Sequence, residues 1–260
     1  MQTLPESWPF SRPLALLTDL DDTVLDGGQL HSSVLQALES LHHAGIAVVA
    51  ITGRPAGWAE VAAHHWPIFG AIGENGSMAY RRVGKVVQTH DCMPPDIRAE
   101  RMHQLRVLRT QVQEAFPWLR DAGDVRGRVT DHAWDIGETE DISVANVSLV
   151  RAFLEAHGAR TATSSIHLHA TFDTHDKATG ALAFLYRELQ IDPAVALDSV
   201  PFIGDSANDR PCFSAFAQTV GVANIDGQLH ALPRPPLFRT KGARGHGFCE
   251  LTRSLLAARG

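Results

Sequence analysis

Apolar runs at both ends of the chain stop abruptly at polar clusters. Leu14-Ala15-Leu16-Leu17-Thr18 runs into Asp19-Leu20-Asp21-Asp22. A continuous rather than alternating run predicts a strand covered on both faces, as in a parallel sheet. After the turn at Asp26-Gly27-Gly28, apolar Val34, Leu35, Leu38 and Leu41 recur at helical spacing. Ser32 or Ser33 is the predicted cap and Gly45 the predicted stop. Ile46 to Ile51 is a second buried strand, halted by Thr52-Gly53-Arg54-Pro55. Strand, helix and strand of these lengths form a βαβ unit. A short strand at 69–72 ends at Gly73-Glu74-Asn75-Gly76.

From Ser77 the texture changes. The pattern predicts an edge strand or hairpin arm at 83–89 and a long charged helix at 95–116. It adds a strand at 128–136, a helix at 143–157 stopped by Gly158, and an alternating strand at 164–172. In that last strand Ile166, Leu168 and Ala170 share one face, and His167 and His169 the other. The first texture then returns, with an amphipathic helix at 177–189 and an apolar run at 199–203 halted by Gly204-Asp205. A helix at 209–216, a strand at 219–223 and a final helix at 248–257 complete the set. The predicted fold is an α/β core with a Rossmann-like parallel sheet, split in sequence into 1–76 and 172–260. An inserted α+β cap domain occupies 77–171.

Composition narrows the function. The chain has 260 residues, 44% hydrophobic and 20% charged, with a formal net charge of -6. That charge argues against nucleic acid or an anionic membrane as partner, because phosphate backbones require a basic face. A phosphorylated small molecule remains compatible, since a local cation cluster suffices for it. No apolar run approaches bilayer length, and residues 1–13 lack the basic start and apolar stretch of a signal peptide. Cys92, Cys212 and Cys249 form no close pair, which predicts free thiols and a cytoplasmic protein. Nothing in the pattern reports an oligomeric state.

Four features stand at the carboxyl ends of predicted parallel strands, where open α/β sheets bind ligands. Asp19 and Asp21, two residues apart past a strand end, can converge as nucleophile and proton donor; an acidic turn is the bland alternative. Thr52 can donate to a phosphate oxygen or simply close a strand. Lys177 at a helix start suits an anion, or is a solvated lysine. Gly204-Asp205-Ser206-Ala207-Asn208-Asp209 groups oxygen donors of the kind magnesium prefers, or is a polar turn.

Together, these four motifs resemble the haloacid dehalogenase superfamily, in the branch with an α+β C2-type cap between its Thr and Lys motifs. Glu74-Asn75-Gly76 is similar to mannosyl-3-phosphoglycerate phosphatases and phosphomannomutases, and the chain also resembles sucrose-phosphate phosphatase-like members. The tail Gly245-His246-Gly247-Phe248 resembles the branch as well. The resemblance implies a Mg2+-dependent phosphatase acting on a sugar phosphate or phosphorylated glycoside. Asp19 would form the aspartyl-phosphate and Asp21 would serve as acid and base. Thr52, Gly53 and Lys177 would grip the phosphate. Asp19, Asp21, Asp205, Asn208 and Asp209 would serve the metal. A phosphomutase, or a silent metal-binding regulatory protein, is the alternative.

Leaving-group recognition then falls to the inserted segment and the Glu74 turn. Candidates are Glu74, Asn75, Arg126, Arg128, Asp131, Trp134, Asp135, His167 and His169. Glu74 is expected to accept from sugar hydroxyls. Arg128 is expected to meet a second anionic group or to salt-bridge Asp131 or Asp135. Trp134 is expected to stack on a sugar or to fill the module's core. The two histidines face either the substrate or solvent.

Overall fold

The structure, a computed structural model, describes residues 1–164 and 166–258. Ser165, inside the predicted 164–172 strand, and the last two residues of the predicted core, Arg259 and Gly260, lie outside the described residues. In chain order the elements begin β1 (Gln2–Thr3), β2 (Ala15–Thr18), α1 (Ser32–His43), β3 (Ala47–Ile51), α2 (Ala56–His65), β4 (Gly70–Gly73), β5 (Met78–Val83) and β6 (Val86–Asp91). The central stretch holds α3 (Pro95–Ala115), β7 (His132–Asp135), α4 (Val144–Ala156), β8 (Arg160–Thr163) and β9 (His167–Thr171). The chain closes with α5 (Lys177–Leu189), α6 (Pro193–Ser199), β10 (Phe202–Gly204), α7 (Arg210–Ala215), β11 (Thr219–Gly221), β12 (Phe238–Arg239) and α8 (Arg244–Leu256).

A nine-stranded sheet runs in the order β1-β12-β11-β10-β2-β3-β4-β5-β6. Its strands pair in parallel from β1 to β4, and the β5–β6 hairpin adds antiparallel strands to the β4 edge. The apolar runs predict this burial: every residue of β2 is buried, and helices cover both faces. One apolar cluster joins Leu16, Val48 and Ala50 to α1, α2 and α8; the other joins Leu17, Val49 and Ile51 to α5 and α7. The chain leaves β2 toward β3 on one side and later returns to β10 on the other. The carboxyl ends of β2, β3 and β10 therefore flank a topological switch point, the crevice where such sheets bind ligands.

A three-stranded antiparallel sheet, β7-β9-β8, forms the cap. Trp134, Leu168 and Ala170 point to α3 and α4 and pack with Leu108, Val112, Val150 and Leu154. The alternate residues of β9, including His167 and His169, point the other way, and both are buried. The boundary at residue 77 requires correction. β5 and β6 hydrogen-bond to the core sheet, so the hairpin belongs to the core and the separate sheet starts beyond it. The reason is edge pairing: an uncovered β4 edge is satisfied by the next strand that can reach it. The capping prediction for α1 also changes, because His31 holds the N-cap position without a side-chain bond. Helices α2 and α6 and strands β1, β8 and β12 lie outside the predicted elements. They are short or weakly periodic and take their stability from packing.

Candidate active site

Backbone pairing places the motif residues. The Asp19 amide donates to Ile203 O at 2.9 Å, fixing the turn after β2 against β10. The Thr52 amide donates to Ile72 O at 2.9 Å, and Asn75 N donates to Thr52 O at 3.0 Å. These bonds gather the ends of β2, β3, β4 and β10 around one point.

At that point Lys177 Nζ donates to Asp19 Oδ1 and to Asp209 Oδ1, each at 2.7 Å. Its ammonium is almost wholly buried. The other Asp209 oxygen accepts from the amides of Asp205 and Ser206 at 2.9 and 3.2 Å, which pins the loop after β10. Gly204 is needed beneath it, because a Cβ there would lie 2.4 Å from Asp209 Oδ2. Carboxylate oxygens of Asp19, Asp205 and Asp209 lie within 4.8 Å of one another.

Three carboxylates thus face a single ammonium. Burial pushes the Asp19 carboxyl up to about 8; Lys177 opposes this, and Asp209 and Asp21 add to it. Burial and the charges of Asp19 and Asp209 push Asp205 up to about 9. Lys177 is held above its usual range because the pull of both partners outweighs its burial. An excess of negative charge on clustered hard oxygens fits a divalent cation of the magnesium type. Asn224, absent from the sequence-based set, supports this centre. Its Nδ2 donates to Asp205 Oδ2 at 2.9 Å and to Asp22 O at 3.1 Å.

Asp21 takes a different partner. Arg54 Nε donates to both of its oxygens at 2.8 and 2.9 Å, and the guanidinium lies 4.5 Å from the centroid of the Trp58 ring. The Asp21 side chain remains 44% exposed. It faces a cavity of about 480 Å³ that also touches Asp19, Asp205, Trp58, Arg128, Glu138 and His167. Thr52 is buried, its Oγ1 accepting from Arg54 N at 3.0 Å. Gly53 passes close to Asn75 and Asn208, and a Cβ there would sit 3.1 Å from each. Asn208 Nδ2 in turn donates to Asn75 Oδ1 at 3.0 Å, joining two motifs.

The leaving-group candidates fare differently. Glu74 does not present its carboxylate to a substrate. Oε1 accepts from the amides of Ala56 and Val129, each at 2.8 Å. Oε2 accepts from Thr130 N and Oγ1 and from Asp131 N, at 2.5, 2.6 and 3.1 Å. Every lone pair is used, and the side chain latches the core to the cap. Burial and the charge of Asp131 push it up to about 7 against the pull of those donors.

Arg128 is not free for an anionic substituent. It donates to Asp124 at 3.0 and 2.9 Å, to Asp131 at 2.9 and 3.1 Å, and to Gly53 O at 3.1 Å. The carboxylate pairs lie within the cap around a buried guanidinium, and the bond to Gly53 O ties it to the loop after β3; none is a surface salt bridge. Trp134 is core, at 2% exposure. Asp135 caps the following loop through the amides of Gly137, Glu138 and Thr139. Arg126 is exposed. His169 Nδ1 meets Asp131 Oδ2, and His167 Nε2 meets Glu138 Oε2, each at 3.0 Å. Both histidines line the Asp21 cavity, so they face the cleft and not solvent.

Residues 16–107 match the model of the haloacid dehalogenase-like hydrolases. Over that segment the chain is similar to the haloacid dehalogenase superfamily. Protein 0175 of Thermoplasma acidophilum is similar in fold at TM-score 0.71 and 17% identity, covering 94% of this chain and 98% of that one. The Synechocystis sucrose-phosphatase, solved with sucrose and phosphate, is similar at TM-score 0.65 and 15% identity, covering 94% and 98%. A phosphatase of the superfamily from Bacteroides thetaiotaomicron is similar at TM-score 0.64 and 17% identity, covering 95% and 96%. No curated protein matches the sequence.

Arg54, Trp58, Asp124, Glu138 and Asn224 are site residues that sequence reasoning left unassigned. Arg54 adjoins Thr52 and carried a signal through its motif. Asn224 lies just past β11, where the strand-end rule could have found it. Trp58 carried none, being one apolar residue of a weakly periodic helix.

Proposed function

We propose that this protein is a magnesium-dependent phosphatase for a small phosphorylated metabolite with a hydroxyl-rich leaving group. The observation that carries the reading is the convergence of Asp19, Lys177, Asp205 and Asp209 on one point, beside an acid held at a cavity. Asp19 attacks phosphorus through a carboxylate oxygen, and the bond to the leaving oxygen breaks. Asp21 gives that oxygen its proton. Water then attacks the aspartyl-phosphate, Asp21 takes its proton, and the bond between Asp19 and phosphorus breaks to release inorganic phosphate. Thr52 and Lys177 hold the phosphoryl oxygens.

Asp19 and Asp205 would hold the metal directly, with Asp209 and Asn208 behind them. Bound there, magnesium supplies positive charge against the anionic phosphoryl group. The need is real: two unit charges at about 4 Å repel by roughly 4 kcal/mol at an effective dielectric of ~20.

The leaving group occupies the Asp21 cavity. Glu138 and Asp124 offer acceptors and His167 a ring nitrogen, a set suited to hydroxyls. The sucrose-phosphatase neighbour, solved with sucrose and phosphate, supports that choice.

The test is magnesium-dependent phosphate release from an aryl phosphate, followed by a panel of sugar phosphates with kcat/KM for each. Asp19→Asn is expected to keep its melting temperature within a few degrees and lose at least about a thousandfold in kcat. Near-normal turnover by Asp19→Asn would remove the covalent aspartate. Re-phosphorylation of the product would favour a mutase instead.

A further inference from the structure

A second cavity, of about 410 Å³, shares Asn208 and His169 with the lining of the Asp21 cavity. It is bounded by the cap strand β8, the segment between β9 and α5, and the start of α7. It reaches the candidate phosphate site through Lys177, Asn75 and Asn208. Its chemistry differs from that of the first.

Arg151, Arg160 and Arg210 all line it. Among the described residues none of them forms an ion pair. Two are nonetheless held in place by neutral oxygens. Arg151 Nη2 donates to Thr163 Oγ1 at 2.7 Å. Arg160 Nη1 donates to the carbonyls of Asp173 and His175 at 3.2 and 3.0 Å. His175 Nδ1 is buried on the same wall and has no hydrogen-bond partner among the described residues.

The acids lining the cavity are held by other partners, although Asp176 and Glu155 keep their charge. Glu74 is filled by cap donors, and Asp131 pairs with Arg128. Asp176 caps α5 through Thr179, and Glu155 accepts from Thr161 Oγ1. Arg151 and Arg160 are thus fixed by neutral oxygens, and among the described residues no carboxylate lies within ion-pair distance of them or of Arg210, which leaves their N–H groups organised for an anion that comes from outside the chain.

We propose that this cavity is an anion subsite that takes a carboxylate or a second phosphate group. The anion is carried either by the substrate, away from the scissile ester, or by a separate small ligand. The substrate form rests on the phosphatase reading above; the subsite itself does not.

The experiment compares phenyl phosphate with carboxyphenyl phosphate as substrates, and follows succinate binding by calorimetry. Wild type is set against Arg151→Gln/Arg160→Gln, with Arg160→Lys as the charge-conserving control. Both arginines sit on the cap, so their replacement leaves the core motifs untouched. Preference for the carboxylated ester is expected in wild type. It should fall by about tenfold or more in the double variant, with phenyl phosphate turnover unchanged and the preference largely kept in Arg160→Lys. Loss of that preference puts the anion on the substrate. Loss of succinate binding alone puts it on a separate ligand. If wild type shows neither preference nor succinate binding, or the double variant keeps both, the subsite is overturned. Failure of wild type to release phosphate from any ester would count against the phosphatase reading, and the calorimetry would still judge the cavity.

Discussion

Asp19 and Asp209 share one buried ammonium and Asp205 clusters with them, an imbalance that favours a bound cation at the level of single side chains. A ligand that binds only the folded state raises its stability by mass action. Magnesium is therefore expected to raise the melting temperature of chelator-treated protein, and Asp205→Asn to abolish that rise, as read by thermal denaturation. Lys177 has the converse role. Lys177→Met would leave Asp19 and Asp209 buried without their counter-charge, and such breakage costs about 3–5 kcal/mol. Urea denaturation of the metal-free variant checks this. At the second aspartate, Arg54→Ala removes the bidentate hold on Asp21. A loosened acid–base group should lower kcat by about tenfold or more with little change in KM.

Between elements, the turn that links β4 to β5 ties core to cap through the Glu74 side chain. Glu74 and Asn75 both hold left-handed backbone, at φ 48° and 55°. This geometry sends Glu74 toward residues 129–131 and Asn75 toward Asn208. Gly76 follows at φ 115°, and a Cβ there would meet Asp176 O at 2.2 Å. The turn therefore abuts the start of α5 and helps to set Lys177. Glu74→Gln would put an amide NH2 against cap N–H donors, leaving buried groups unpaired. The expected cost is about 1–3 kcal/mol, with faster proteolysis in the segments that join cap to core. Unchanged stability and protease resistance would show that the latch is dispensable. A sequence reader sees a carboxylate beside an anion site and looks for a ligand task. That reading failed for Glu74 because four of its five donors are backbone amides, three of them 55 to 57 residues away, and an amide leaves no mark in side-chain chemistry.

Over the whole molecule, the cap contributes buried titrating groups as well as a lid surface. His169 is buried and held below the ordinary histidine range, chiefly by burial, although Asp131 pulls the other way. A histidine depressed in the folded state stabilises the protein above its unfolded value of about 6.5. That contribution fades as pH falls below it, because the unfolded chain binds the proton more readily. The destabilisation of His169→Gln relative to wild type should therefore shrink as pH falls from about 7 to 5, measured by urea denaturation at each pH. A gap that widens toward acid would reverse the sign of this assignment. The same histidine shows what was legible. Alternation placed His167 and His169 on one face of a strand, and that face is correct; whether it met solvent or the core was not decided by the strand itself.

By itself the sequence determined the parallel sheet, the positions of Asp19, Thr52, Lys177 and Asp205 at strand ends or a helix start, and the presence of an inserted module. Those follow from local periodicity and from where apolar runs stop, and both are properties of short stretches of chain. Only the tertiary structure assigned the β5–β6 hairpin to the core, turned Glu74 and Arg128 into cap anchors, set Arg54 on Asp21, and brought three arginines that form no ion pair among the described residues to one cavity. The physical reason is that a charged side chain is assigned by whichever partner reaches it in space, and that partner is fixed by packing between elements far apart in the chain.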